Sequence, residues 1–235
     1  MLIEIINNIL SCNGYDQVEI PIMLEGYQTF LYVSRDPGKE EYFVTIEALV
    51  QEEAANFFVF NEGAETIFEK IRNIAEVGRS FEKNSTLILC CESNTIDRDL
   101  MLKIEEDHYN FKKNIVTYTK GEITAFSEII SDVSEITNDV ISDIINSDSG
   151  NDFTAFKEQI RNRNNHFSLA LKVMMKLPFI TYVPKQKNLM DLESDIESHL
   201  SEYQRPIYFD LLEMSPELRD DEFEIVVMRS WGILS

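Results

Sequence analysis

The chain has 235 residues and 27.3 kDa, and its 42 Asp and Glu against 21 Lys and Arg give a formal charge of −21 and a pI of about 4.4. Such a charge disfavours nonspecific binding to nucleic acid or to an anionic membrane. A hydrophobic content of 44% with 11% aromatics excludes a disordered acidic tail, and only eight Gly leave little material for glycine-rich phosphate loops.

In chain order, residues 2 to 12 read as a short amphipathic helix, with Ile3, Ile6 and Leu10 at helical spacing and Asn13-Gly14 as its stop. The opening Met1 to Ile6 is apolar but lacks the basic flank of a signal peptide, the first basic residue being Arg35, and no apolar run approaches a membrane span. A cytoplasmic protein is expected. Tyr27 to Val33 and Tyr42 to Ile46 are rich in aromatic and β-branched residues. The turn-forming Ser34-Arg35-Asp36-Pro37-Gly38-Lys39 between them predicts a β-hairpin. Helices are expected over 47 to 58 and 62 to 77, a strand over Ser85 to Cys91, a helix over about 96 to 106 and a short strand over Ile115 to Tyr118. The three cysteines are an odd number. Cys90 and Cys91 are adjacent in an apolar run where alternation sends them to opposite sheet faces, so they read as packed free thiols. His108, His166 and His199 stand at no metal-ligand spacing.

At Gly121 the pattern changes. Glu122 to Phe156 holds eight acids and no Lys or Arg; residues 157 to 187 hold seven bases against Glu158 alone; residues 188 to 235 hold twelve acids against three bases. Such blocks point to organised contacts. The break near residue 120 is read as a boundary, and the fold class as α+β: a mixed α/β part over 1–120, then a mainly helical part over 121–235.

Motif absences narrow the chemistry. There is no GxxxxGK[ST] and no GxGxxG, and no E-x-K or D-x-K pair that would set a metal ligand beside a Lys on one strand face as in PD-(D/E)xK nucleases. No catalytic, cofactor-binding or metal-binding residue is assigned, and a non-enzyme is expected. Glu122 to Ile145 is the clearest constellation. Ile123, Phe126, Ile130, Val133, Thr137, Val140 and Ile144 follow a 3,4 spacing, and Ile129, Ile136, Ile141 and Ile145 widen the stripe. With only acids elsewhere on this segment, tertiary or partner packing must hold it. One reading is a core helix whose acids meet the basic segment 157 to 176 as an antiparallel hairpin. The other is a docking surface for a basic partner, formed by Ile129, Asp132, Ile136, Asp139 and Ile141. Arg161 and Arg163, with neighbouring amides, are candidates for a DNA contact within a larger complex or for neutralising the preceding acids.

Glu105-Glu106-Asp107 places three acids at a helix C-terminus, against the macrodipole. Lys112 and Lys113 are close enough to fold back and compensate, and Tyr109 and Phe111, at period two, can anchor the loop on one face. The loop is either a structural anchor or a preorganised recognition element.

These residues also carry a resemblance. The strand Lys83-Asn84-Ser85-Thr86-Leu87-Ile88-Leu89, a helix, Glu105-Glu106-Asp107-x-Tyr109-x-Phe111-Lys112-Lys113 and then Tyr118-Thr119 resemble the middle component of bacterial ABC-three-component systems, the Lamassu-type defence operons, over roughly residues 65 to 130. His108 stands where Pro is expected, and unlike Pro it does not fix φ. The resemblance implies a non-catalytic adaptor without cofactor. Its partners would be an SMC-like coiled-coil ABC ATPase and an effector, often a nuclease, in a hetero-oligomeric complex against phage or plasmids, with DNA contact indirect or within the complex. Tyr109, Phe111, Lys112, Lys113, Ile129, Asp132, Ile136, Asp139, Ile141 and Trp231 are the expected protein-interface residues. The rival reading is an acidic DNA mimic or antitoxin-like inhibitor of a nucleic-acid-binding enzyme, although mimicry wants acids spread over one surface and here they alternate with a basic block.

Overall fold

The computed structural model describes residues 1–20, 24–52, 62–74, 77–147, 156, 165–182, 192–212 and 228. The fold is α+β. Helix α1 (Leu2–Cys12) leads into strands β1 (Tyr15–Val18), β2 (Tyr27–Ser34) and β3 (Tyr42–Ala48). Next come α2 (Ala64–Ile71), α3 (Phe81–Asn84), β4 (Ser85–Glu92), α4 (Arg98–Glu106) and β5 (Lys112–Tyr118), followed by α5 (Lys120–Ile129), α6 (Asn138–Ile145) and α7 (His166–Lys176).

The five strands form one sheet in the order β1-β2-β3-β4-β5. The first three pair antiparallel, and β3, β4 and β5 run parallel. Parallel neighbours need crossovers, and helices α2 to α4 supply them. Both faces are therefore covered. Phe43, Ile88, Cys90, Val116 and Tyr118 share an apolar cluster with α1, α5, α6 and α7. Val44, Ile46, Leu87, Leu89, Cys91 and Ile115 share a second cluster with α2, α3 and α4. Every residue of β3 is buried, as a central strand between two helical layers requires. The adjacent thiols fall on opposite faces, as alternation dictates. Burial pushes the Cys91 thiol up to about 12 and Cys90 well above its ordinary value, so both stay protonated packing groups.

Two local expectations are corrected. Residues 47 and 48 end β3 rather than start a helix, since Glu47 and Ala48 continue the ladder opposite Gln28 and Tyr27; residues 53–58 of that expected helix lie outside the described residues. Strand β1 is an addition to the expected elements, its four residues after Asn13-Gly14 being too short to carry a run of alternation. Gly14, at φ +94, makes the reversal from α1.

A third correction concerns 122–145, which is two helices. Thr119 caps α5 by accepting from the Glu122 amide at 3.1 Å, and Thr137 caps α6 by accepting from Val140. The connector between them is held by α1. The Asn8 side-chain oxygen accepts from Ile136 N at 2.9 Å, the Asn13 side-chain nitrogen donates to Ile136 O at 3.0 Å, and the Asn13 side-chain oxygen accepts from Asn138 N at 2.8 Å. The apolar pattern survives the break because Ile136 dips from the connector into the core while Phe126, Ile141 and Ile144 enter it from the helices.

Helices α5, α6 and α7 share one apolar cluster with the sheet and α1, so the change of element type at 120 lies inside a compact unit. The chain divides into residues 1–184 and 185–235. The second unit contains helices α8 (Leu192–His199) and α9 (Gln204–Leu212), with Arg205 donating to Glu197 O at 3.2 Å and the Tyr208 and Phe209 rings 5.6 Å apart. Among the described residues no helix is long and apolar enough to cross a membrane.

Ile136→Asp is expected to cost at least about 4 kcal/mol, as an unpaired charge in a packed core does. Asn13→Ala is expected to cost about 1–3 kcal/mol through the orphaned Ile136 carbonyl and Asn138 amide. Urea unfolding followed by circular dichroism checks both, and near-wild-type stability of Ile136→Asp contradicts the packing described.

Candidate interaction site

Helix α4 begins with Asp97, whose carboxylate accepts from Leu100 N at 2.7 Å, and ends with the three acids of 105 to 107. The macrodipole conflict is resolved by two lysines from different elements. Glu105 takes Lys176 of α7 at 2.6 and 2.7 Å and also accepts the Ile115 amide at 2.9 Å, so it bonds an outward-facing amide of the edge strand β5. Asp107 takes Lys113, whose buried ammonium also donates to Asp107 O at 3.2 Å and Tyr109 O at 2.9 Å. All three protons of Lys113 are thereby satisfied, as a buried ammonium requires. The Lys113 ammonium and the Tyr109 amide hold the Asp107 carboxyl below its ordinary value.

The remainder of the loop is equally determined. Asp107 Oδ1 accepts from Tyr109 N at 2.9 Å, Asn110 sits at φ +68, and Phe111 packs edge-on against Phe68 at 5.1 Å and Phe81 at 5.9 Å. Asn tolerates that left-handed conformation better than most residues. Tyr109 stands 78% exposed above this assembly.

The predicted interface residues thus separate by role. Phe111 and Lys113 are buried and hold the loop; Tyr109 and Lys112 are exposed, and alternation along β5 sends Lys112 to the sheet face opposite Lys113. The expected fold-back is made by Lys113 and, from 71 residues away, by Lys176 rather than by Lys112. On the other segment, Ile129 is half exposed and Asp132 and Asp139 are exposed. Ile136 and Ile141 are buried in the core, which corrects their reading as partner-facing: the break after α5 rotates them inward. Trp231, Arg161 and Arg163 lie outside the described residues. Among the described residues, Glu122 and Lys172 make the acid-to-base contact expected of the hairpin. Glu122, almost wholly buried, takes Lys172 at 2.8 and 2.9 Å while completing the α5 capping box.

Sequence reasoning passed over Glu47. It is an acid within the apolar run of β3, fully buried, and it accepts from Ile3 N at 2.9 Å and from the Tyr118 hydroxyl at 2.6 Å. It therefore meets the N-terminal turn of α1 from the sheet. Two positions earlier on the same face, Thr45 donates to Asn7 of α1 at 2.8 Å. This face of β3 carries no Lys beside its carboxylate, and both carboxylate oxygens already accept hydrogen bonds. Among the described residues no group of three His, Cys, Asp or Glu side chains is placed to hold a metal ion.

Fold and site together define an α+β protein with a sheet buried on both faces and a preorganised, aromatic-tipped loop at its edge. A family model, ABC-three component (ABC-3C) system Middle Component 1, matches residues 41–144, which run from β3 to the end of α6 and include the loop. Over this span the chain is similar to that family, and the match supports the middle-component resemblance. No curated protein and no solved structure matches the chain.

Burial raises the Glu47 carboxyl above its ordinary value, the Tyr118 and Ile3 hydrogen bonds opposing. The folded state then holds this proton more tightly than the unfolded chain. The Glu47 contribution to stability is fully present below the ordinary carboxyl range and declines as pH rises through the folded value. Relative to Glu47→Gln, the wild type should lose stability as pH is raised from 4 through the titration; a gain over that window, in urea unfolding at stepped pH, contradicts the assignment. At the loop, Phe111→Ala is expected to cost about 3 kcal/mol or more and Lys112→Glu to stay within about 0.5 kcal/mol of wild type, both read by chemical denaturation.

Proposed function

We propose that this protein is a non-catalytic accessory subunit of an ABC-three-component defence complex, bridging an SMC-like coiled-coil ABC ATPase and an effector, with a nuclease as the expected effector in a Lamassu-type arrangement. The match over residues 41–144 carries the reading, because it covers the parallel half of the sheet together with the ordered loop. The lack of a phosphate-loop motif in the sequence and the prior engagement of both Glu47 oxygens support a role in binding rather than in chemistry. The exposed acids Glu128, Asp132 and Asp139 along α5 to α6 support electrostatic steering toward basic parts of the partners. In this mechanism a change in the ATPase on sensing DNA releases or realigns the effector through the adaptor.

Co-expression with the neighbouring genes tests the reading. The expected result is a complex with the ATPase and the third component that survives size-exclusion chromatography, with no ATP hydrolysis or DNA cleavage by this chain alone. Metal-dependent cleavage by the purified chain, abolished by one carboxylate substitution, overturns the non-catalytic reading. Association only with a single nucleic-acid-binding enzyme favours the inhibitor alternative.

A further inference from the structure

Tyr109 is exposed although everything beneath it is fixed. The loop from Asp107 to Phe111 uses a buried lysine as a three-way pin, a left-handed Asn110 and a phenylalanine sunk between two other rings, yet its largest aromatic tip makes no ring contact among the described residues. A turn that merely joined α4 to β5 would need none of this. Burying an ammonium requires all its protons to be satisfied, and here two of its three acceptors are the carbonyls that set the course of the loop on either side of His108.

A fixed backbone beneath an exposed aromatic favours association, because the ordering cost of the loop is already met before the partner arrives. Tyrosine suits this use: a flat apolar body with a hydroxyl that seeks a partner when buried, and few torsions to freeze. The surroundings give the partner's electrostatic character. Glu106 is exposed just before the tip, Asp107 is already paired with Lys113, and the whole chain carries −21. A basic rim is therefore the complementary one.

We infer that Tyr109 is a rigid knob that inserts into an apolar, basic-rimmed pocket on a protein partner, its hydroxyl donating to an acceptor at the pocket floor. The inference rests on the accessory-subunit reading and adds to it the residue that anchors the contact and the chemistry of the surface receiving it. Lys113 is a positioning residue, acting through the loop backbone without touching the partner.

The test uses the full chain co-expressed with its neighbouring gene products. A photo-crosslinking benzoylphenylalanine at position 109 is expected to join one subunit of the complex, while the same group at the exposed Lys70 of α2 does not. Tyr109→Ala is expected to weaken association about 30-fold or more, as loss of an interface anchor does, and Tyr109→Phe by less than about tenfold through loss of one hydrogen bond. Thermal unfolding of either variant alone stays near wild type. Lys113→Met, with Tyr109 intact, should remain folded, speed amide exchange across 107 to 111 and lower affinity several-fold. Wild-type affinity should fall with added salt. A complex that forms normally with Tyr109→Ala and shows no crosslink from position 109 overturns the knob and leaves the accessory reading standing. A complex that never forms with any neighbouring product overturns both. Binding of a single-stranded oligonucleotide that is lost in Tyr109→Ala replaces the protein pocket with a stacked base.

Discussion

The carboxylate of Glu47 is the point on which the packing of the sheet-and-helix unit depends. A fully buried acid is tolerated only where its oxygens are bonded, and the two donors come from different layers: the Ile3 amide at the start of α1 and the Tyr118 hydroxyl at the end of β5. One side chain thus fixes α1 across the sheet from the central strand to the edge strand. The consequences continue in both directions. Tyr118 is followed by Thr119, the cap of α5, whose capping box positions Glu122 to meet Lys172 of α7. Along α1, Asn7 takes Thr45, while Asn8 and Asn13 hold the connector that delivers Ile136 to the core. Helices α5, α6 and α7 therefore belong to the same compact unit as the sheet.

The loop at 107 to 111 follows the same physics with a different outcome. There a buried cation, Lys113, is satisfied by one carboxylate and two carbonyls, and a ring cluster of Phe68, Phe81 and Phe111 closes the far side. Glu47 organises the interior, whereas Lys113 organises surface. The two acids involved depend on pH with opposite signs. Burial raises Glu47 and erodes its contribution as pH rises; the lysine lowers Asp107, whose contribution is present above the ordinary carboxyl range and is lost as pH falls through the folded value.

The charge blocks find partial structural expression. Lys172 and Lys176 of the basic block bind Glu122 and Glu105, so they are structural cations rather than free surface. Asp132 and Asp139 remain exposed, as does half of Ile129. The acidic surface left over is shorter than the heptad-like spacing suggested, because two of its isoleucines are consumed by the core.

Local periodicity determined much by itself. The helix of α1, the turn joining β2 and β3, the apolar β4 with its thiols on opposite faces and the helix ending in three acids all follow from alternation, helical spacing and turn residues, which act over a few positions. The motif from Glu105 to Lys113 also marked the ordered loop between α4 and β5. Tertiary structure decided what pairs across distance. That Glu105 would meet Lys176 rather than Lys112, that an acid in β3 would accept from α1 and β5, and that Asn8 of α1 and Asn13 just after it would hold the connector between two helices of 122–145 are long-range contacts. A spacing pattern records which face a residue occupies and not which element arrives there. Ile136 makes the reason plain: its place in the widened apolar stripe is the same in a continuous helix and in a connector held by Asn8 and Asn13, and only the fold distinguishes them.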